Sequence, residues 1–183
     1  GADPRIKNKQ GMSPLMRASY LGQTKEAKML VDNGALVNES SHIGETPLHL
    51  ACRGIPQKIE DRFEASAAAE ATIRFLVEKG APVNAKDNDG KTPLMNAALG
   101  EAPGVIGYLL DKGAQANIQD KNGWTALMYA ADWNQLSVIT VLARRGADLN
   151  LRNSKGKTAL GIAKLKESSA QAFELLKRLG AIE

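Results

Sequence analysis

Cys52 is the single cysteine among 183 residues. One thiol cannot build an internal disulfide framework. That excludes the small stapled secreted scaffolds and fits a reducing compartment. No apolar run approaches the roughly 18–20 residues of a membrane-spanning helix. No basic-then-apolar leader opens the chain. The cytoplasm is the default location, and a leader removed before Gly1 would leave the bacterial periplasm open. Glycine-rich phosphate loops are missing. Of the two histidines, His42 has no cysteine or second histidine at metal-ligand spacing. The lysines and arginines form no clustered stripe of the kind a dedicated nucleic-acid binder carries. Aromatic residues are scarce, at 4% of the chain.

The remainder is that of an ordinary globular protein, with 43% hydrophobic and 24% charged residues. The length suits one good-sized domain or two small ones. A net charge of +4 and a pI near 9.2 mildly favour acidic partners. The few aromatics are unevenly placed. Both tryptophans and one tyrosine (Trp124, Tyr129, Trp133) fall within ten positions.

An internal repeat organises everything else. A glycine followed by a spacer, Thr or Ser, Pro or Ala, and Leu occurs from Gly11 to Leu15, Gly44 to Leu48, Gly90 to Leu94, Gly123 to Leu127 and Gly156 to Leu160. The steps between these glycines are 33, 46, 33 and 33 residues, and 46 is 33 with 13 added. A Gly-Ala pair keeps the same beat at Gly34, Gly80, Gly113, Gly146 and Gly180, with an asparagine four residues after the first four of these glycines (Asn38, Asn84, Asn117, Asn150).

Each unit reads as a helix pair and a turn. Thr46 and Thr92 are good N-caps. Pro47 and Pro93 sit at the first helical position, where a missing N–H is harmless. Leu94, Ala97 and Ala98 give a short helix a narrow apolar face. Val105, Ile106, Leu109 and Leu110 follow at helical spacing, and Gly113 ends that second helix. The turn at 87–90 is rich in Asp and Gly. It spells part of a calcium loop but lacks the distal glutamate. Such a unit is too thin to bury its own face, so stacking must supply the core.

Gly44–Ala51 reads GETPLHLA and Gly146–Asn150 reads GADLN. On these motifs the chain resembles the ankyrin repeats, over essentially all of residues 1–183. The resemblance implies a single all-α solenoid of helix pairs with β-hairpin or finger loops. Its units are approximately 5–37, 38–83, 84–116, 117–149 and 150–183. Short first helices would line a concave side and longer second helices the convex back. The PLM and ALM spellings at Leu15–Met16, Leu94–Met95 and Leu127–Met128 look more bacterial than metazoan.

Three features depart from the family pattern. The extra residues, approximately 55–67, fall between the two helices of the second unit. The stretch 58–78 contains no Gly or Pro, which predicts a second helix lengthened by about three turns. Ile59 and Phe63 share one face of it and, with Arg62, form either a lid on neighbouring helices or a partner-contacting arm. At the start, Gly1, Ala2 and Asp3 match the end of a unit, as in a trimmed or processed chain. The second helix of the first unit is polar, as a terminal cap requires. The last four residues read as a natural C-terminus.

Partner-facing positions follow from the resemblance. The residue before each cap, and those four, seven and eight after it, form rows of mixed size and charge, unlike the leucine row that never varies. They nominate Trp124, Tyr129, Trp133 and Asp132, with Arg17, Tyr20, Arg53, Asn96, Lys91 and Lys157. Exposed aromatics of this kind are typical binding hot spots. His49, at the signature position, is structural, and Cys52 is a small core residue. The expected function is non-catalytic binding of one folded protein, as inhibitor or protective partner of an enzyme. The competing class is a basic nucleic-acid-associated repeat protein. Neither reading needs a cofactor, a metal or a membrane, and the chain alone is expected to be a monomer.

Overall fold

The computed structural model describes the backbone of residues 3–54 and 62–182, and the side chains of these residues except 62–66. Among the described residues five helix pairs follow one another: α1 (Pro14–Tyr20) with α2 (Thr24–Asp32), α3 (Pro47–Arg53) with α4 (Arg62–Glu78), α5 (Pro93–Ala97) with α6 (Pro103–Asp111), α7 (Ala126–Asp132) with α8 (Leu136–Arg144), and α9 (Ala159–Ala163) with α10 (Ala170–Arg178). A 3-10 turn, Glu167–Ser169, leads into α10.

The caps explain where the first helices start. Ser13, Thr46, Thr92, Thr125 and Thr158 all hold extended backbone and accept a bond from the N–H three residues on, at 3.2–3.4 Å. Each helix then drops its leucine inward: Leu15, Leu48, Leu94, Leu127 and Leu160 are all at most 4% exposed. The second helices end in the left-handed conformation at Gly34, Gly80, Gly113, Gly146 and Gly180. The alanine after each glycine donates its N–H to the carbonyl five residues back, at 2.9–3.0 Å. This is the wrap-around C-cap, and it accounts for the Gly-Ala landmark.

First helices pack on first helices, in the order α1, α3, α5, α7, α9. Second helices form a parallel layer in which α2 meets α4, and α8 meets both α6 and α10. The phenol of Tyr108 on α6 donates to the Arg74 carbonyl of α4 at 3.4 Å. The recurring asparagines tie the layers. Asn84, Asn117 and Asn150 accept the N–H of Gln115, Asp148 and Ile182 in the following unit, at 2.8–2.9 Å. For Asn38 the matching register position is Pro82, and a proline has no N–H to give.

The fingers are tight turns, and no β-strand forms among the described residues. The physical reason is length. Each finger closes on itself through one short loop, as in Asp87 N–H to the Lys91 carbonyl at 2.9 Å. It meets the next finger through a single backbone bond, such as Asn88 N–H to Ile43 O or Lys121 N–H to Asp89 O, both 2.9 Å. One bond per neighbour cannot build a ladder.

A side chain three residues before the finger glycine sets each turn. The Oδ1 atoms of Asn8, Asp87, Asp120 and Asn153 accept N–H groups two and four residues ahead, at 2.8–3.0 Å. In the second finger this place belongs to Ser41, whose hydroxyl is buried with no hydrogen-bond partner among the described residues. Ser41→Asn is therefore expected to stabilise the protein by about 1 kcal/mol, read as a rise in the urea midpoint at unchanged slope. A lower midpoint would contradict this reading of the finger.

Helix α4 is 17 residues long against 9 for α2, α6 and α8. The extension seen is about two turns and begins at Arg62. Residues 58–61, included in the expected three turns, lie outside the described residues, as does Ile59. Arg62 and Phe63 are placed on the helix, with side chains outside the described set. The inner end of the extension packs on the first unit. Ala69 is 2% exposed, the chain at Ala68 and Ala69 closes over Gly22, and the Thr24 and Thr72 hydroxyls bond at 2.8 Å.

Candidate functional site

The base of the fourth finger carries a polar-aromatic cluster. Trp124 and Tyr129 pack with ring centroids 5.0 Å apart and planes at 43°. Both rings are half-buried. Asp120 clamps them from the finger. Its Oδ1 takes the Trp124 N–H at 2.9 Å and its Oδ2 the Tyr129 hydroxyl at 2.7 Å. Burial, and then this bond to a carboxylate, push the Tyr129 phenol above its usual range, so it acts as a neutral donor. Lys91, from the preceding finger, lies 5.6 Å above the Tyr129 ring. Asp120 belongs to the row of finger residues three before the glycine, so its position was visible in the sequence although its reach to Tyr129 was not.

Beneath Lys91 sits His49, fully buried. Its Nδ1 accepts the Thr46 N–H at 3.2 Å, which leaves Nε2 to donate to the Lys91 carbonyl at 3.0 Å. The ring thus closes a capping box and joins two units. Burial depresses its pKa, only partly offset by the Lys91 carbonyl. Folding therefore favours the neutral ring, and the unfolded chain binds the proton more readily. Stability from this group is complete above the unfolded value near 6.5 and is lost as pH falls below it. Met16, Met95 and Met128 fill the equivalent place, so His49→Met is a conservative probe. It is expected to lose about 1 kcal/mol at about pH 7.5 with the bond to Lys91, and to lose less than wild type on acidification to about pH 5.5. Parallel pH dependences in urea titrations would contradict this.

Trp133 stands apart from that cluster. It caps the C-terminus of α7 and is 50% exposed. The ends of α1 and α9 resemble it, whereas Leu99 and Gly100 after α5 are half-buried and buried. Tyr20 is 44% and Leu165 70% exposed. Arg53 lies 5.6 Å from the Tyr20 ring and bonds the buried Glu45 at 2.8 Å. Desolvation raises the Glu45 pKa, against the pull of Arg53. Asp132 is held by Lys166 at 2.5 Å. Arg17 and Lys157 are exposed, one at each end of the stack.

Asn96 is a correction. It is only 5% exposed and spends its amide on the His49 carbonyl at 3.2 Å. Two others of its row are sealed as well, Leu50 at 0% and Ile162 at 4%, while Arg17 is exposed and Tyr129 half-buried. A row of varied volumes can still be packed, because close packing constrains facing pairs across an interface, not one position along the stack.

Cys52 is 1% exposed, and burial pushes its thiol far above the reactive range. Among the described residues no cluster of three His, Cys, Asp or Glu side chains gathers for a metal. No described helix is long and apolar enough to cross a membrane.

Stacked helix pairs with projecting turns and an open row of helix ends define a repeat scaffold for protein interaction. The chain belongs to the ankyrin-repeat family: the model described as "Ankyrin repeats (3 copies)" matches residues 1–60, 64–153 and 106–181. Proteins of this family are generally non-catalytic binding scaffolds. No curated protein matches the chain.

Proposed function

We propose that this ankyrin scaffold grips one folded protein through its fingers and the open ends of its first helices, and that it acts as an inhibitor or protective partner of an enzyme. The observation that carries the reading is a contrast within one helix layer. The leucine row is sealed, while Tyr20, Trp133 and Leu165 hold 44–70% of their surface in water. The surface that these rings leave in solvent adds nothing to the stack. Trp133 and the Trp124–Tyr129 pair supply rigid apolar area at low entropic cost, which suits an anchor.

The partner is to be recovered by co-purification from the native source, and the contact mapped by hydrogen exchange. Protection at the fingers and at α1, α3, α7 and α9 supports the reading. Protection confined to α2, α6, α8 and α10 overturns it. If the captured partner is an enzyme, its activity and its inactivation half-life with and without the scaffold decide between inhibition and protection. No change in either removes the enzyme-directed part.

A further inference from the structure

We infer that the partner carries two separated acidic patches with a non-acidic stretch between them, each patch meeting one end of the stack. This rests on the proposed binding role and adds the partner's charge pattern. The chain's charge is divided by unit in a way the net value hides. The finger and first helix at 5–23 hold four cations (Arg5, Lys7, Lys9, Arg17) and no acid. The matching stretch 150–168 holds five cations against Glu167. The three between, 38–56, 84–102 and 117–135, each carry one more acid than cation.

Some of the terminal cations are committed inside the molecule. Arg5 bonds Asp3, Lys7 bonds Glu39 and Lys166 bonds Asp132. Lys9 and Arg17 at one end, and Lys155 and Lys157 at the other, are exposed and make no ion pair among the described residues. A first helix is spaced roughly 8–10 Å from the next, so four steps separate the two clusters by about 32–40 Å.

That pattern opposes an evenly charged polymer. Duplex DNA presents a charge about every 1.7 Å along its axis, so a duplex reaching both clusters would lay its phosphates over three units of net negative charge. A second copy of this chain is disfavoured too, because both ends are basic. A protein surface with discontinuous acidity satisfies both ends and leaves the aromatic residues of the fourth unit for apolar contact.

The test uses peptides. One carries a single hexaglutamate block. The other carries two blocks joined by about 40 Gly/Ser residues, whose end-to-end distance is about 35 Å. Binding is read by fluorescence anisotropy at about 10 mM ionic strength, where screening reaches about 30 Å. The two-block peptide is expected to bind about tenfold more tightly through effective concentration. Lys155→Glu with Lys157→Glu should return it to single-block affinity. Lys25→Glu with Arg178→Glu, an equal charge change on second helices, should leave it within about twofold.

Equal binding of the one-block and two-block peptides overturns the inference, as does an equal loss in the control variant. Tighter binding of a 20-base-pair duplex than of the two-block peptide also overturns it, in favour of nucleic acid. The peptides carry no apolar residue, so Trp133→Ala should not change their binding. Failure here therefore leaves the aromatic anchor standing, and failure of the anchor leaves the charge pattern standing.

Discussion

Leu94→Ala is expected to lower the stability by roughly 2–5 kcal/mol and to divide one unfolding transition into two. Leu94 is 1% exposed and belongs to the middle unit, whose first helix is only five residues long. That helix packs on α3 on one side and α7 on the other. A cavity there weakens two interfaces together. In a stack held by neighbour contacts, the halves can then open separately. The sequence supplies its own reporter, because both tryptophans lie in the fourth unit. Fluorescence follows that region and far-ultraviolet circular dichroism follows every helix. The two urea curves should coincide in the wild type and separate in the variant. Coincident curves with a loss under about 1 kcal/mol would show that the middle unit is not the weak link.

Gly123→Ala should cost about 2–4 kcal/mol, and Gly146→Ala only about 1 kcal/mol. Both glycines have positive φ, +74° and +83°, so both alanines bear the left-handed strain. They differ in their surroundings. A Cβ on Gly123 would lie 2.8 Å from the Ser154 nitrogen and 2.9 Å from the Asn153 Cα, backbone of the next finger. A Cβ on Gly146 meets nothing within 4 Å. The extra penalty thus measures how closely fingers approach one another. Because Trp124 follows Gly123, its emission should shift as the finger is pushed aside. Equal losses in the two variants would mean that the fingers yield freely.

Much of this architecture is written locally, and that is why it could be read. Thr92 and Pro93 mark a helix start through bonds spanning three residues, and Gly113 marks an end through bonds spanning five. Repetition then fixes the stacking register without any long-range inference. The insertion was visible because Gly80 resumes the register after it. Less accessible were features set by pairs across units. Whether Asn96 faces water depends on the His49 carbonyl of the neighbouring helix, 47 positions away. The finger form depends on how many bonds one turn can make to the next. Asp120 was legible as a turn residue, but its grip on Tyr129 needs the finger folded back over α7. Trp124 and Trp133 share a short stretch of sequence yet serve different places. One lies at the finger base and the other at the far end of the helix.

The most direct measurement is the affinity of the co-purified partner for wild type and for Trp133→Ala, by calorimetry, with urea midpoints recorded for both. Trp133 is half exposed, so the account predicts a variant that still unfolds cooperatively with a lowered midpoint, and an affinity at least about 30-fold weaker, the loss of one hot-spot residue. A cooperatively folded variant with unchanged affinity would contradict the claim that the open ends of the first helices hold the partner.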